Sequence, residues 1–342
     1  MSLPANHQAL VLIETGKAEI KTQPVPALDD DSVLVKVKAV ALNPTDWKHI
    51  DMNLLKPGQS VGCDFAGDIV AIGNNVTGWN VGDAVSGFVR GGFVRSDNGA
   101  FQGEICRDVA PTGEKPSSLP YEDAAPMGGI ALSTAAYALH YFLGVPYEPI
   151  STPEPILIWS GATGVGMYAI KLASLAGYKV VTVASSRNWD LVKSLGASAV
   201  LDYKDPEVVQ KIRNWADTEG GGKLTKGLDT ISENGSIETC IEILKGGQHA
   251  TLFTLLPAPK NLDKKDVRVE GMIIYAALKP KNEADFKWLA DWNTRLPSLI
   301  EEGKLFKIVP LKRFQGFSQL LDAIDYVRQG KVSGEKVVLT VE

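Results

Sequence analysis

The chain has 342 residues, 44% hydrophobic and 22% charged, with a net charge of −5. That length accommodates two domains, each with a core of its own, and the mild negative charge argues against a general nucleic-acid binder. No apolar run reaches the roughly 20 residues that span a bilayer, and the opening MSLPANHQALVLIETGK lacks a basic segment followed by an apolar one, so a cytoplasmic protein without membrane or nucleic-acid partners is expected.

Up to about residue 125, short β-runs are separated by Gly, Pro and Asp turns: SVLVKVKAVAL, FAGDIVAIG and DAVSGFV. Val33, Val35 and Val37 alternate with Leu34, Lys36 and Lys38, which predicts a strand with one wetter face. The acidic LDDDS near residue 30 reads as a solvated turn. This half is expected to be a mostly antiparallel β domain, an open barrel.

From about residue 129 the rhythm becomes strand, helix, strand, helix. PILIWSG, YKVVTVAS, ASAVLDY, GLDTIS, HATLFTLL and VRVEGMIIY are six apolar runs separated by helical segments. Val165, Ala169, Leu172, Ala173 and Ala176 recur at helical spacing and predict one apolar helix face. The alternation predicts a doubly wound parallel sheet of the Rossmann type, with helices on both faces. The last stretch, from DFKWLADW onward, mixes two helices with two strands. Its EKVVLTV run lies outside the βα rhythm and is expected to rejoin the N-terminal sheet.

Between the first two Rossmann runs lies SGATGVGMYAIKLASLAG, where Gly161, Gly164 and Gly166 follow a strand and open a helix. Glycine tolerates positive φ and has no Cβ, so the backbone is expected to turn sharply and approach a phosphate. The free amides and partial positive charge of the helix start favour the same ligand. Embedded between strand and helix, the G-x-x-G-x-G spacing reads as a dinucleotide loop, with Thr163, Gly164, Val165 and Gly166 in contact with the cofactor. An NAD site places Asp or Glu about 20 residues further on. Here the second strand ends Ala184-Ser185-Ser186-Arg187-Asn188, with no carboxylate before Asp190. Hydroxyls and a guanidinium suit a 2′-phosphate, so Ser185, Ser186, Arg187 and Asn188 are assigned to NADPH, against the alternative of a plain polar turn.

Together these motifs resemble the medium-chain dehydrogenase/reductase superfamily. ALNPTDWK (41–48), VGCDFAGDIVAIG (61–73), VGDAVSGF (81–88), GAFQ (99–102) and PMGGIALSTAAYAL (126–139) fall in that superfamily's order ahead of the glycine loop. NPTDWK and the terminal GKVSGEKVV are similar to the fungal trans-acting enoyl reductases of polyketide biosynthesis, which partner synthases lacking a working reductase domain. The resemblance implies a GroES-like, mostly antiparallel β-barrel catalytic domain over 1–128 with 279–342, and a Rossmann NADPH-binding domain over 129–278.

Zinc enzymes of the superfamily use Cys, His and Cys. Asn43 stands at the first ligand position and Cys63 at the second, and GGIALSTAAY has no cysteine for the third. Catalytic zinc needs three protein ligands and an open position, so no metal is expected. The three cysteines, Cys63, Cys106 and Cys240, and the four histidines, His7, His49, His140 and His249, are scattered. The cysteines are read as small buried hydrophobes. Hydride transfer to a conjugated alkene needs little beyond geometry, a cofactor and a polar environment for the enolate.

The resemblance also implies roles. Thr45 and Lys48 lie at the cleft edge as catalytic candidates, and with Asp46 and Trp47 they contact the cofactor. Lys48 stabilises the enolate or supplies the α-proton, against the alternative of a surface lysine. Ser133 and Thr134 bind the thioester carbonyl or nicotinamide, or are ordinary helix hydroxyls bonded to the preceding turn. Tyr203 lies near the 2′-phosphate, Leu255 and Leu256 offer backbone groups to the carboxamide, and Val332 and Ser333 close over the cofactor. The expected activity is reduction of an α,β-unsaturated thioester on the acyl-carrier domain of a polyketide synthase, by a monomer. A zinc-free quinone or alkenal reductase and a non-catalytic NADPH-binding protein are the competing readings.

Overall fold

The computed structural model describes residues 4–108, 113–279, 281–305 and 309–341, with the backbone alone for 104–108. The chain divides into two compact units, one comprising residues up to 133, 275–332 and 336 onward, the other 134–274 and 333–335. In chain order the first unit contributes β1 (Asn6–Glu14), β2 (Lys17–Pro24), β3 (Ser32–Leu42), β4 (Asp64–Ile72), β5 (Ala84–Phe88), β6 (Glu104–Asp108) and β7 (Gly113–Glu114). The second contributes β8 (Pro155–Trp159), β9 (Lys179–Val183), β10 (Ala197–Leu201), β11 (Lys226–Asp229), β12 (Thr251–Thr254) and β13 (Arg268–Gly271). The chain then returns to the first unit with β14 (Leu311–Gln315) and β15 (Lys336–Thr340). The α-helices are α1 (Pro44–Asp51), α2 (Tyr121–Met127), α3 (Ile130–Ala136), α4 (Gly164–Leu175), α5 (Trp189–Ser194), α6 (Val208–Trp215), α7 (Ser236–Leu244), α8 (Glu283–Glu301) and α9 (Leu320–Arg328).

In the first unit the sheet is ordered β14-β15-β3-β4-β5-β7, with β6 also paired to β3 and β1–β2 forming a separate hairpin. All pairs but β14–β15 are antiparallel. The terminal run does rejoin this sheet, Val337 opposite Leu42 and Thr340 opposite Ala39. Val33, Val35 and Val37 are buried while Lys36 and Lys38 are half-exposed, as the alternation predicts. Leu34 departs from it and is buried, so this part of β3 is covered on both faces of the sheet. Val35, Val37, Val40, Phe65, Ile69, Val85 and Leu339 form the core with Ile50 of α1 and Leu320 and Ile324 of α9. Each such side chain contributes about 1.5–3 kcal/mol by leaving water.

The second unit is a six-stranded parallel sheet ordered β10-β9-β8-β11-β12-β13, the 3-2-1-4-5-6 order of a doubly wound sheet. Every one of the six apolar runs supplies a strand. Helix α4 buries Gly166, Met167, Tyr168, Ala169, Ile170, Leu172 and Ala173. It is covered over more than the single stripe expected, and Val165 is left half-exposed. No described helix is long and apolar enough to cross a membrane.

Candidate active site and cofactor-binding elements

The loop after β8 turns at Ser160, whose φ is 64°, whereas none of Gly161, Gly164 and Gly166 has a positive φ. The glycines are needed for a different reason. A Cβ on Gly161 would meet Thr182 Oγ1 at 2.3 Å, and one on Gly166 would meet the Ser160 carbonyl oxygen at 2.4 Å and Gly161 Cα at 2.9 Å. They let α4 start hard against the strands, which is the packing role of glycine in this motif. Thr163 caps the helix by accepting from Gly166 N–H at 2.9 Å and donating to Ser160 C=O at 3.0 Å. The amides of Gly164 and Val165 have no acceptor among the described residues, so two donors at the positive end of the helix dipole fit a pyrophosphate.

Beyond β9, Ser185 is half-buried, Ser186 and Arg187 are exposed, and Asn188 is buried. No described residue gives the Arg187 guanidinium a hydrogen bond or ion pair, and this lone cation beside two hydroxyls fits a 2′-phosphate. Asn188 is engaged differently: its Nδ2 donates to Ser333 Oγ at 2.9 Å. The next residue's N–H, at Gly334, donates to Ala162 C=O at 3.2 Å. A Cβ on Gly334 would lie 2.8 Å from Asn188 Oδ1, and its φ is +67°. Residues 333–335 therefore form a strap seated on both the glycine loop and the strand tip.

Tyr203, just past β10, is 45% exposed. Leu255 and Leu256 follow β12, but part of their backbone is already bonded within the protein. Leu255 N–H donates to Ser232 Oγ at 2.8 Å, and Leu256 C=O accepts from Thr254 Oγ1 at 2.7 Å. Ser232 is itself held by buried Asp229, which accepts from Ile231 N–H at 2.9 Å, Ser232 N–H at 3.1 Å and Ser236 Oγ at 2.5 Å. Burial raises the Asp229 carboxyl above its ordinary value.

In the first unit, Thr45, Asp46, Trp47 and Lys48 all lie on α1. Pro44 opens the helix, and Asp46 reaches back to accept from Asn43 N–H at 2.6 Å, an arrangement that satisfies an otherwise orphaned amide. Thr45 is the hub of a polar chain: Tyr275 O–H donates to Thr45 Oγ1 at 3.3 Å, and Thr45 Oγ1 bonds His49 Nε2 at 3.0 Å. Cys63 Sγ lies 3.1 Å from the Tyr275 hydroxyl in a further hydrogen bond. Burial, helped by the Arg90 charge, pushes the His49 imidazole down to about 4, so the neutral ring is favoured near pH 7 and shares one hydrogen bond with Thr45, its direction set by the tautomer. Burial, then the Asp64 charge, pushes Asp46 up to about 7. Trp47 packs on the core, and half-buried Lys48 holds its Nζ 5.9 Å from the Trp47 ring.

The residues at the zinc positions do not fit zinc. Asn43 Oδ1 accepts from the Lys336 ammonium, which also pairs with Asp64 Oδ2 at 3.3 Å. A fixed cation is thus already in place beside the first ligand position. Burial, then the Asp46 charge, raises the Cys63 thiol, disfavouring the thiolate that zinc requires. Among the described residues no three His, Cys, Asp or Glu side chains group as a metal site. Asp64 instead anchors α3, accepting from Ile130 N–H at 2.9 Å. Gly129 is required there, since its Cβ would lie 2.3 Å from Asp64 Oδ2.

On α3, Ser133 and Thr134 are both buried, and Val332 packs on the core of the first unit. Cys63 and Cys240 are buried, while the Cys106 side chain lies outside the described residues. Sequence reasoning missed His49, Arg90 and Tyr275. His49 directly follows Lys48 in the quoted motif, a signal that was present; Tyr275 lies 230 positions from Thr45, and no local pattern marks it.

Residues 29–115 match the alcohol dehydrogenase GroES-like domain, and 164–294 match the zinc-binding dehydrogenase family. Trans-enoyl reductase ACTTS2 of Alternaria alternata is 34% identical, over 98% of this chain and 99% of that protein. Trans-enoyl reductase TOXD of Cochliobolus carbonum is 38% identical over 70% of this chain and 81% of that protein. An alcohol dehydrogenase superfamily protein from Novosphingobium aromaticivorans shares the fold, with a TM-score of 0.82 at 24% identity over 98% of this chain and 100% of that one. A GroES-like sheet, a doubly wound sheet with its capped glycine loop, and 34% identity to such an enzyme over nearly the whole chain together make the chain a member of the trans-enoyl reductase family of medium-chain dehydrogenases/reductases.

Proposed function

We propose that the chain is an NADPH-dependent enoyl reductase. It acts as a cytoplasmic monomer on an α,β-unsaturated thioester carried by the acyl-carrier domain of a polyketide synthase. The observation that carries this reading is the unpaired Arg187 guanidinium beside Ser185 and Ser186, in a chain of the trans-enoyl reductase family. When bound, the nicotinamide supplies hydride to the β-carbon.

The residues of the chain bind and orient. Gly164 and Val165 amides hold the pyrophosphate while Ser185, Ser186 and Arg187 hold the 2′-phosphate, with Tyr203 alongside. Asn188 serves the site through the strap, by holding Ser333. The backbone of Leu255 and Leu256 faces the carboxamide, and Val332 and Ser333 cover the cofactor. Thr45, oriented by Tyr275 and His49, and Lys48 contact the nicotinamide ribose and substrate carbonyl. Ser133 and Thr134 bind the thioester.

A panel of enoyl thioesters, free and on a carrier domain, tested with NADPH and NADH in parallel, checks this reading. NADPH should be consumed, fastest with carrier-bound substrate. Equal turnover of free quinones or small enals would instead make the protein an alkenal or quinone reductase, and no turnover with any acceptor would make it a non-catalytic binder.

A further inference from the structure

Arg90-Gly91-Gly92-Phe93 is a tight turn in which Phe93 N–H donates to Arg90 C=O at 3.1 Å. Gly92 has a φ of +74°, and a Cβ on Gly91 would lie 2.2 Å from the Gly62 carbonyl oxygen. Such a turn brings its first and last side chains together. The Arg90 guanidinium carbon sits 3.9 Å from the Phe93 ring centroid and 5.3 Å from that of Tyr275. The Phe93 ring packs in turn on His49 at 4.8 Å. Arg90 is half-buried, its Nε is fully buried without a partner, and no described residue gives the guanidinium a hydrogen bond or an ion pair.

A half-buried cation with one N–H cut off from both water and a partner gains when an anion completes it. Among the described residues no group supplies that anion. His49 is held neutral, its Nδ1 is buried and unpartnered, and Tyr275 directs its proton to Thr45. Arg90 thus stands, through Tyr275, one hydrogen bond from Thr45.

We propose that Arg90 is an anion site, and that its ligand is the thioester oxygen as it becomes an enolate. This rests on the enoyl reductase reading and adds the residue that takes the developing charge. The hydride that a bound NADPH would release from its nicotinamide C–H bond, becoming NADP+, would form a C–H bond at the β-carbon; the alkene electron pair moves to the bond between α-carbon and carbonyl carbon, and the oxygen is left negative. Arg90 N–H groups hold that oxygen. Collapse of the enolate restores C=O as the α-carbon takes a proton from the Lys48 ammonium, which regains one from water.

The test compares wild type with Arg90→Gln and Arg90→Lys. With an enoyl-N-acetylcysteamine thioester, Arg90→Gln should lower kcat about 100-fold, as loss of one oxyanion donor does, with KM little changed; Arg90→Lys should recover part of the loss. Acetoacetyl-N-acetylcysteamine, which has no alkene to reduce, should show its ultraviolet enolate band on binding wild type, weakly with Arg90→Lys and not with Arg90→Gln. Should Arg90→Gln fail to give a wild-type circular dichroism spectrum, the Arg90→Lys band decides. Undiminished kcat and enolate band in both variants would overturn the proposal. So would an effect confined to a raised KM for the phosphate-bearing coenzyme A thioester, which would make Arg90 a phosphate anchor. Wild type that shows the band but reduces no enoyl thioester would defeat the reductase reading and leave the anion site standing.

Discussion

Replacing Asp46 by Asn should change how the stability of the protein depends on pH. Asp46 is 1% exposed, and burial followed by the Asp64 charge raises its carboxyl from 3.8 to about 7. Between those values the folded chain keeps a proton that the unfolded chain has released, so stability falls as pH rises through the window. A raise of about 3 units corresponds to about 4 kcal/mol lost by pH 8, at 1.36 kcal/mol per unit. Asparagine stays neutral and keeps an oxygen for the Asn43 N–H that Asp46 accepts at 2.6 Å. The variant should therefore match wild type near pH 4 and melt roughly 8–16 °C higher at pH 8, taking 2–4 °C per kcal/mol for a unit of this size. His49, pushed down to about 4, adds a stability that rises with pH between about 4 and its ordinary 6.5, but both proteins carry it and it cancels in the difference. The assay is thermal melting by circular dichroism from pH 4 to 8 at constant ionic strength. Parallel curves for the two proteins would refute the reasoning.

Three further outcomes are expected. Gly166→Ala should cost about 1–3 kcal/mol by overpacking, because the new Cβ would meet the Ser160 carbonyl oxygen at 2.4 Å; chemical denaturation measures it. Asn188→Ala removes the bond to Ser333 at 2.9 Å. Losing about 1 kcal/mol there should speed cofactor release roughly fivefold in stopped-flow fluorescence. Lys48→Ala should cut turnover about 10²-fold or more, as loss of a general acid does, with cofactor affinity changing little by titration; unaltered turnover would remove Lys48 from the mechanism.

The fold was largely legible because its signals are local. Six apolar runs broken by helices announce a parallel sheet, and the out-of-rhythm EKVVLTV announced the strand that returns beside β3. The position of the glycine loop was legible too, but the use of its glycines was not. That depends on Thr182, Ile170 and Ser160, which reach Gly161 and Gly166 only once the helix is docked, and the positive φ fell on Ser160. The polar cluster was the least legible part. Thr45, Cys63, Arg90 and Tyr275 come from separate segments, and periodicity says nothing of contacts between them. Nor does composition show that Lys336 occupies the neighbourhood of Asn43; the chain's lack of zinc ligands was readable, and the ammonium that stands there was not.

The account turns on what the tip of β9 binds, and paired titrations of NADPH and NADH against wild type and Arg187→Gln test it most directly. Charge-assisted bonds to a phosphate contribute about 1.5–3 kcal/mol, so the variant should lose about 10- to 100-fold in NADPH affinity while NADH binding stays as it was. Equal affinity of wild type for the two coenzymes, or an equal loss of both in the variant, would contradict it.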